Sequence, residues 1–537
     1  MERGDFRNVA GAAVAAAAVA AVVLAGYLHT LHYPFQFDDF YSIRDNPVLR
    51  PPLDAGEIWR FRPGRSIPMF SFAAQVAWFG PSVAALRAVN LLLHALAALL
   101  VGWVAAELCR RARDRRPCVT PAPEAVGLIA ALLFAAHPLA TQSVTYVVQR
   151  ITTLGALFEL MAVAAFLRAR RGDGEGWWWA SWSSTLLAAL TKEMAVALPA
   201  LLILVEWVLR QAGAKGRSQA LRFLPYFAIV PLVAALAAEP FGPEARRAEG
   251  LRDTPFVSRG DYARAQLTVI PRYLSLAVWP ANQQLDPHVV PRPRVDAAVL
   301  GGALVIVVMA GLAWWSRRRA PVAAIGLGWF LIAVAPESSV IPIRNFMMEH
   351  RAYVPLAGLA WAAAAACGWL VAHQRVWILV PLAAILALTT VTHFRNRAWR
   401  SEGALWADNA RKSPLSPTAQ TNLGLALQDE GRPAEAEAAF RAALLADPGM
   451  VLALSNLGRL YGQQRRLDEA RKVLEQAEGL EPGHPDVLNN LGTLYWMQGD
   501  TARAAARFQR AIAADPGSPW PANNLTRMRA GVPPPDH

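Results

Sequence analysis

Residues 9–50 decide the fold class, and they read VAGAAVAAAAVAAVVLAGYLHTLHYPFQFDDFYSIRDNPVLR. The first half is an apolar run of about 20 residues, which is the length that a helix needs to cross a bilayer. Two adjacent carboxylates, Asp38 and Asp39, follow soon after it and are surrounded by aromatic side chains. This order predicts a membrane-spanning helix with an acidic site immediately outside the membrane.

The composition of the whole chain is typical of a membrane protein with some soluble mass attached. The chain has 537 residues, of which 54% are hydrophobic and 17% charged, and its mean hydropathy is +0.25. Soluble domains carry about 25% charged residues. The net charge of +13 comes largely from arginines in short blocks between apolar runs. This arrangement indicates membrane orientation and phosphate handling, and it argues against a nucleic-acid-binding face.

Further apolar runs follow the first one along the chain. We predict about eleven spans, at residues 9–29, 84–108, 125–146, 151–168, 177–191, 194–210, 221–238, 295–315, 321–341, 353–373 and 376–394. The segment 262–282 contains Pro271 and Pro280, and it is predicted as a helix at the outer membrane interface. The predicted fold class is therefore all-α, with a polytopic membrane helix bundle as its larger part.

Basic blocks set the predicted orientation of these spans. They follow the second, fourth, sixth and eighth spans, so the N-terminus is predicted to be cytoplasmic and the last span to exit outside. The alternative that the first run is a cleaved signal peptide also leaves the acidic pair outside. Ala- and Arg-rich usage favours a bacterium, hence the inner membrane and periplasm; in a eukaryote the same orientation means the endoplasmic reticulum and its lumen.

The C-terminal part is a repeat array. Three segments that begin NLGLALQ, NLGRLYG and NLGTLYW recur with a period of 34, and Gly424, Gly458 and Gly492 occupy the same position in each. This is the tetratricopeptide pattern, in which a small residue lets two paired helices approach closely. It predicts an α-solenoid after the membrane bundle.

The predicted organisation has four parts. We expect a polytopic membrane domain over residues 1–394, with a long first extracytoplasmic loop at 31–83. A connecting helix is predicted at 395–416, three tetratricopeptide repeats at 417–518, and a capping helix with a tail at 519–537.

Asp38 and Asp39 are the first candidate site residues. Adjacent acids at a membrane surface can supply a general base and a second acid that orients it, and nearby aromatic side chains would raise at least one pKa. The alternative is a solvated turn, since Asp45-Asn46-Pro47 is a turn-forming sequence close by. A divalent-cation site is a third possibility, and the sequence leaves the requirement for a metal undecided.

Polar residues at span ends on the same predicted face form a second candidate set. Ionisable groups at membrane depth are costly and are more often functional than decorative. An anionic lipid phosphate needs cationic partners, so these residues are predicted to bind such a phosphate or to line its site. The alternative is that some of them are local ion pairs or membrane anchors. The set comprises Arg65, His137, Arg150, Lys192, Glu193, Glu349, His350 and Arg351.

Two other kinds of site lack a sequence signal. The ten histidines are scattered and show no metal-ligand spacing on the outer face, so no metal site is predicted. The chain also has no glycine-rich loop of the kind that cradles nucleotide phosphates.

The order of these motifs resembles a known family. A first span is followed by FDD and IRDNPVL, then by HP, a span-end TKE, EHRAYVPLAG before the last two spans, and finally tetratricopeptide repeats. This resembles the transmembrane and tetratricopeptide-repeat proteins, a branch of the GT-C glycosyltransferase superfamily related to the protein O-mannosyltransferases. The resemblance runs over nearly the whole chain.

The resemblance implies an activity and roles for several residues. Family members transfer a sugar, mannose in O-mannosylation, from a polyprenyl-phosphate carrier to serine or threonine of a protein outside the cytoplasm. Carried onto this chain, Asp38 is the expected base and Asp39 its helper, and the reverse assignment stays open. Lys192, His350 and Arg351 fall where family members place residues that face the phosphate or line the site. The implied partners are the polyprenyl-phosphate sugar, membrane lipids and a protein acceptor held by the repeats.

Three other functions remain as alternatives. A membrane-anchored tetratricopeptide scaffold for envelope assembly would explain the repeats but would leave the membrane motifs without a role. A ligase or polymerase for lipid-linked glycans would differ in its acceptor but not in its chemistry. A transporter would show duplicated, broken spans near the middle of the bilayer, which this sequence lacks.

Overall fold

The computed structural model describes residues 3–115, 122–209, 221–238, 257–338, 343 and 345–534. Within these ranges the chain is helical and contains no β-strand, which confirms the predicted all-α class. The predicted loop residues 239–256, the basic residues between 210 and 220 and the end of the tail lie outside the described residues.

Most of the long N-terminal helices overlap the predicted apolar runs, whereas Ala55–Phe61 and Ser66–Phe79 lie within the predicted loop 31–83. Alanine and leucine dominate them, and both residues favour helix. A first group contains α1 (Arg3–Tyr27), α2 (Ala55–Phe61), α3 (Ser66–Phe79), α4 (Val83–Arg115), α5 (Pro123–Ala136), α6 (Thr141–Thr145), α7 (Arg150–Arg171), α8 (Gly176–Ala189) and α9 (Leu198–Leu209). A second group contains α10 (Leu224–Phe227), α11 (Ile229–Ala238), α12 (Arg259–Val278), α13 (Ala297–Ser316), α14 (Pro321–Val334), α15 (Tyr353–His373) and α16 (Leu379–Asn396).

Six helices of the described residues are long and apolar enough to cross a membrane. A bent pair, Pro123–Ala136 followed by Pro138–Thr145, raises the number to seven if it forms one span. The bend of 55° occurs at His137, because the residue before a proline is disfavoured in the helical conformation. The apolar helices Leu221–Leu236 and Pro321–Val334 are shorter. The count of eleven spans therefore stays a prediction.

Glycines allow the apolar helices to pack backbone against backbone. A Cβ atom on Gly102 of α4 would lie 2.6 Å from the carbonyl oxygen of Gly127 in α5. Gly326 of α14 and Gly358 of α15 face each other in the same way, with a Cβ on the first 2.3 Å from the second's carbonyl oxygen. Small residues at such crossings are typical of helices that associate by close packing in membranes.

The contacts divide the chain into two compact units. The first consists of Met1–Gln283 and Val289–Ser401, and the second of Gln284–His288 and Glu402–His537. Residues 395–416, which the sequence predicts as one connecting helix, contain the end of α16, a 3₁₀ turn at Arg397–Arg400 and a separate helix.

The second unit is an array of helix pairs. Its helices are α17 (Glu402–Lys412), α18 (Pro417–Asp429), α19 (Pro433–Ala446), α20 (Val451–Gln463), α21 (Leu467–Leu480), α22 (Pro485–Met497), α23 (Thr501–Ala514) and α24 (Pro519–Arg529). A Cβ on Gly424 would lie 2.5 Å from the Phe440 ring, and one on Gly458 2.4 Å from Leu474. The repeat glycines therefore have the predicted role, since only glycine fits where the second helix of each pair crosses the first.

Candidate active site

Asp39 is a buried carboxylate that fastens the acidic loop to the membrane unit. Its side chain is fully buried. Oδ1 accepts a hydrogen bond from the backbone N–H of Val148 at 2.8 Å, and Oδ2 accepts one from the backbone N–H of Gln36 at 3.2 Å. Val148 belongs to a 3₁₀ turn immediately before α7. The acidic loop is therefore docked on the protein, and the solvated-turn interpretation does not hold for Asp39.

Asp38 differs from Asp39 in its hydrogen bonds, because one of its carboxylate oxygens has no hydrogen-bond donor among the described residues. Its backbone N–H donates to the hydroxyl of Tyr146 at 2.8 Å. Its side chain is partly buried, and Oδ1 accepts no hydrogen bond from any described residue. The two acids thus differ in environment, because two backbone N–H groups bond the Asp39 carboxylate while Oδ1 of Asp38 is buried without a hydrogen-bond partner among the described residues.

Burial changes the ionisation of Asp39. Removal from water raises its pKa from 3.8 to about 7, even though the N–H groups of Val148 and Gln36 and the charge of Arg87 favour the ionised form. The carboxyl group of Asp39 therefore changes its charge near neutral pH.

Arg87 of α4 fixes the loop that carries the acids. Its guanidinium is fully buried and donates to the carbonyl oxygens of Thr30, Pro34, Tyr33 and Thr145. Five donors in a planar fork suit this role, which a lysine ammonium could not perform. Arg87 is not among the residues predicted for the site. The available signal was an arginine near the start of an apolar run, where a charged side chain is costly.

A second group of charged residues lines a small pocket. Lys192 precedes a 3₁₀ turn that leads into α9, and His350 and Arg351 belong to a 3₁₀ turn that leads into α15. The structure therefore brings together three of the predicted residues from distant parts of the chain. The pocket is also lined by Thr152, Glu159 and Met194.

Glu337 lies between the two cations of this pocket. One carboxylate oxygen is 3.7 Å from Lys192 Nζ, and the other is 3.2 Å from Arg351 Nε. All three side chains are at most 9% exposed. Lys192 also donates to Thr152 Oγ1 at 3.1 Å. Sequence reasoning missed Glu337 because Lys192 is distant in sequence and no local pattern links Glu337 to Arg351, although an acid at the end of an apolar run was visible.

His350 presents an unpartnered ring nitrogen. Its backbone N–H donates to Gln142 Oε1 at 2.8 Å, which fixes the position of the turn. Its side chain is 9% exposed, and Nδ1 has no hydrogen-bond partner among the described residues. The preceding Glu349 is buried and accepts a hydrogen bond from Gln283 Nε2 at 3.1 Å. His350 can therefore offer a polar contact to a ligand, whereas Glu349 supports the local structure.

Arg65 and Glu193 form an ion pair of 3.0 Å between the first loop and the residue after Lys192. Both side chains are partly exposed. This pair connects the long first loop to the segment that supplies Lys192. It matches the alternative that some of the predicted residues are local ion pairs.

His137 and Arg150 have structural roles that correct the prediction of donor binding. His137 Nδ1 accepts from the N–H of Leu139, and Nε2 bonds the carbonyl oxygen of Ala277 at 2.9 Å. Arg150 is 1% exposed. Its guanidinium donates to the side chains of Asn90, Ser71 and Gln75 and to the carbonyl oxygen of Leu86. Neither side chain is therefore available to a phosphate.

One stretch of chain supports both the acidic loop and the pocket. Tyr146 and Val148 hold the two acids, and Thr152, four residues after Val148, contacts Lys192. Four residues correspond to about 6 Å of helix. The acidic loop and Lys192 thus contact adjacent turns of one segment.

No group of three or more His, Cys, Asp or Glu side chains that could hold a metal ion occurs among the residues that the structure describes. The polar atoms of both parts of the site are instead carboxylates, cations and one imidazole, which suit proton transfer and anion binding.

Comparison with known protein families identifies the repeats. The tetratricopeptide-repeat family matches at residues 404–451, 421–478 and 455–519. These matches confirm the repeat array predicted from the 34-residue period.

Comparison with curated proteins covers more of the chain. The protein O-mannosyl-transferase F38B6.6 of Caenorhabditis elegans is 24% identical over 443 residues, which is 79% of this chain and 61% of that protein. The protein O-mannosyl-transferase TMTC3 of Mus musculus is 28% identical over 29% of this chain and 17% of its own length. TMTC1 of Mus musculus is 27% identical over 28% of this chain and 17% of its own. The predicted resemblance is confirmed, and the chain spans less than two thirds of the length of these relatives.

Among solved structures, a chain of the APC/C hetero-tetramer Cut9-Hcn1 aligns over 78% of this chain and 91% of its own, at 14% identity and a TM-score of 0.25. A score this low does not indicate a shared fold.

Proposed function

We propose that this protein is a membrane glycosyltransferase that moves a sugar, mannose in the first instance, from a polyprenyl-phosphate carrier to a serine or threonine hydroxyl of a protein. The names of its relatives support protein O-mannosyl transfer. The observation that carries the proposal is local: Asp38, whose buried Oδ1 has no hydrogen-bond partner among the described residues, bonds Tyr146 through its backbone N–H, and six residues later Thr152 lines a pocket with Lys192, His350 and Arg351.

Asp38 acts as the general base in this proposal. Its carboxylate takes the proton of the acceptor hydroxyl while the hydroxyl oxygen forms a bond to the anomeric carbon of the sugar. Asp39 is a positioning residue, because both of its oxygens are bonded to backbone N–H groups that fix the loop. The difference in hydrogen bonding supports Asp38 over Asp39 as the base.

The cations of the pocket bind the phosphate leaving group and stabilise its charge. The bond between the anomeric carbon and the phosphate oxygen breaks, its electron pair stays on the phosphate, and the charge that develops there needs cationic partners. Lys192 and Arg351 supply two positive charges, and the His350 ring supplies a further contact. The sugar passes through an oxocarbenium-like state, as in glycoside hydrolysis. In the absence of donor, Glu337 contacts both cations and offsets one of their two positive charges.

The proposed location follows from the basic blocks of the sequence. With the N-terminus in the cytoplasm, the acidic loop, the pocket and the repeats lie on the extracytoplasmic side. The donor lipid lies among the apolar helices with its head group in the pocket, and the repeats hold the acceptor polypeptide.

The experiment that tests this function is sugar transfer in nanodiscs. Radiolabelled polyprenyl-phosphate mannose is the donor and a Ser/Thr-containing peptide the acceptor. Loss of a general base lowers the rate by about 10²–10⁴-fold, so this is the expected fall in kcat for Asp38→Asn. Asp45→Asn is the matched control, because Asp45 is exposed in the same loop and its carboxylate pairs with the adjacent Arg44; its rate should equal that of the wild type.

Three outcomes would overturn the proposal in whole or in part. A wild-type protein that neither transfers sugar nor binds the donor lipid would favour a membrane-anchored scaffold. An Asp38→Asn variant with the wild-type rate would exclude Asp38 as the base even if transfer occurs. Transfer to a lipid-linked glycan in place of the peptide would identify a ligase.

A further inference from the structure

Three consecutive arginines at the end of α13 carry positive charge that is not neutralised by a neighbouring acid. Arg317, Arg318 and Arg319 directly follow this helix, which is apolar and long enough to cross a membrane. None of the three pairs with an Asp or Glu among the residues that the structure describes. Glu206, which lies near the end of α9, is already bonded by Arg170, whose Nε donates to it at 2.8 Å. The block therefore has charge available for an anion.

Exposed indole rings hold two of these arginines in place. The guanidinium carbon of Arg317 lies 3.8 Å from the centre of the Trp314 ring and 5.8 Å from that of Trp207. The guanidinium carbon of Arg319 lies 4.7 Å from the centre of the Trp315 ring. A cation above an indole face is attracted by the ring. A guanidinium has five N–H donors, and Arg317 uses one of them on the carbonyl oxygen of Trp314, so donors remain for a ligand.

The indoles come from two helices whose ends meet. The rings of Trp207 on α9 and Trp314 on α13 are 5.3 Å apart, and α14 packs against both helices. Tryptophan is enriched where a membrane meets water, so the exposed rings place the arginines at the level of the lipid head groups.

An exposed apolar track leads along each helix to the arginines. Side chains four residues apart share one face of a helix. The tracks are Ile203 and Trp207 on α9, and Leu304, Val308 and Leu312 on α13. Two apolar tracks that end at one cationic group match a lipid with two acyl chains and one anionic head.

This position is separate from the pocket of Lys192. The turn that begins after Lys192 leads into α9, and Trp207 lies near the other end of that helix. About 14 Å of helix separates Leu198 from Trp207. The predicted orientation places the arginines on the cytoplasmic side, where the leaflet contains anionic lipids.

We propose that Arg317–Arg319, together with the indoles of Trp207, Trp314 and Trp315, bind the head group of an anionic glycerophospholipid. The phosphodiester of such a lipid carries one negative charge and accepts hydrogen bonds from guanidinium groups. A zwitterionic lipid would bring its ammonium group close to the arginines and therefore binds more weakly. The inference goes beyond sugar transfer and does not depend on it.

The test measures lipid binding to the full-length protein by native mass spectrometry from detergent. The probe is phosphatidylglycerol, with phosphatidylcholine of the same acyl chains for comparison. We expect phosphatidylcholine to bind about tenfold more weakly or less, because it has no net negative charge. The double variant Arg317→Gln/Arg319→Gln should weaken the binding of phosphatidylglycerol about tenfold or more, since each basic side chain near an anionic lipid contributes to affinity.

A second double variant controls for the loss of charge. Arg171→Gln/Arg375→Gln removes the same two positive charges from exposed positions on the same predicted face of the membrane. Arg171 already pairs with Asp173, and neither arginine belongs to the indole group. The affinity of this variant for phosphatidylglycerol should equal that of the wild type. Melting temperatures of both variants show whether they fold.

Several outcomes would overturn the inference. Unchanged affinity in the folded Arg317→Gln/Arg319→Gln variant excludes the site, and an equal loss in the control variant assigns the binding to net charge alone. Displacement of phosphatidylglycerol by an equal concentration of glycerol phosphate would mean that the arginines bind free phosphate. Displacement by an equal concentration of polyprenyl phosphate would exclude selection for two acyl chains. A loss confined to Arg317→Gln/Arg319→Gln supports the inference whether or not the wild type transfers sugar.

Discussion

Each unit contains a group of ion-paired side chains, and the two groups have opposite arrangements of charge. In the membrane unit one acid, Glu337, lies between Lys192 and Arg351, and all three side chains are at most 9% exposed. In the repeat unit one cation, Arg466, lies between Glu437 and Glu469 at 2.6 Å from each, and the three side chains are 16–50% exposed.

The difference indicates which group has a function. Exposed pairs are screened by water and contribute little to stability, so the Arg466 group needs no further explanation than solubility and local order. Buried charges lose hydration, and their mutual attraction often fails to compensate for that loss. Apolar side chains would stabilise the membrane unit better at these positions. The buried group is therefore the one whose presence points to a ligand.

Removal of Glu337 should have the largest effect on stability. Glu337→Ala leaves two buried cations without their carboxylate, and loss of one partner of a buried pair costs about 3–5 kcal/mol. Unfolding of the protein in nanodiscs measures this loss. Because the donor phosphate would replace the missing charge, polyprenyl phosphate should raise the melting temperature of Glu337→Ala more than that of the wild type. An equal rise in both proteins would argue against phosphate binding at Lys192 and Arg351.

Packing should matter more than ion pairs in the repeat unit. A Cβ on Gly458 would lie 2.4 Å from the Leu474 side chain. Gly458→Ala is therefore expected to destabilise the array by about 1–3 kcal/mol, the usual cost of overpacking. The melting transition of the repeats measures it. Gly479→Ala is the control, since Gly479 on α21 has no neighbouring atom within 4 Å of its Cβ position; a comparable loss there would contradict the packing explanation.

The two units should also differ in the direction of their response to pH. The pKa of Asp39 is raised to about 7 by burial, so between about pH 4 and 7 the folded state holds a proton that the unfolded state has released. Stability from this group therefore falls as pH rises through that window. Melting temperatures at pH 5 and 8 should differ by a few degrees more in the wild type than in Asp39→Asn.

For the acids of the repeat unit, Glu437 and Glu469, the dependence of stability on pH has the opposite sign. Hydrogen bonds from Arg466 lower the pKa of both Glu437 and Glu469. Any stability that these two carboxylates contribute is present at pH values above the ordinary carboxyl pKa, and it is lost as the pH falls below that pKa. If Asp39→Asn keeps the wild-type difference in melting temperature between pH 5 and 8, groups other than Asp39 cause that difference.

The smallest effect is expected for the exposed group. Glu469→Gln removes one partner of Arg466, but Glu437 remains and water replaces the lost charge. The melting temperature should equal that of the wild type within error. A large fall in melting temperature would mean that side-chain exposure does not indicate how much an ion pair stabilises this protein. The contrast with Glu337 would then disappear.

Local patterns of the sequence predicted the parts of the structure that depend on local contacts. Apolar runs gave the helices of the membrane unit, and the 34-residue period gave the repeats with the role of Gly424 and its equivalents. The pairing of Lys192 with Glu337 and the contact of Asp39 with Val148 join residues more than one hundred positions apart. Periodicity carries no information on such contacts. It also could not separate Arg150, which is used in packing, from Arg351, which lines the pocket.

The contacts of Arg87 have a consequence for how such sequences diverge. This arginine holds the segment before the acidic pair entirely through main-chain oxygens, those of Thr30, Tyr33 and Pro34. Substitutions that change only the side chains of this segment leave those oxygens in place. Side-chain changes in this segment can therefore accumulate while the path of the chain is kept, and Arg87, on the third helix after the acids, marks that path better than the segment itself.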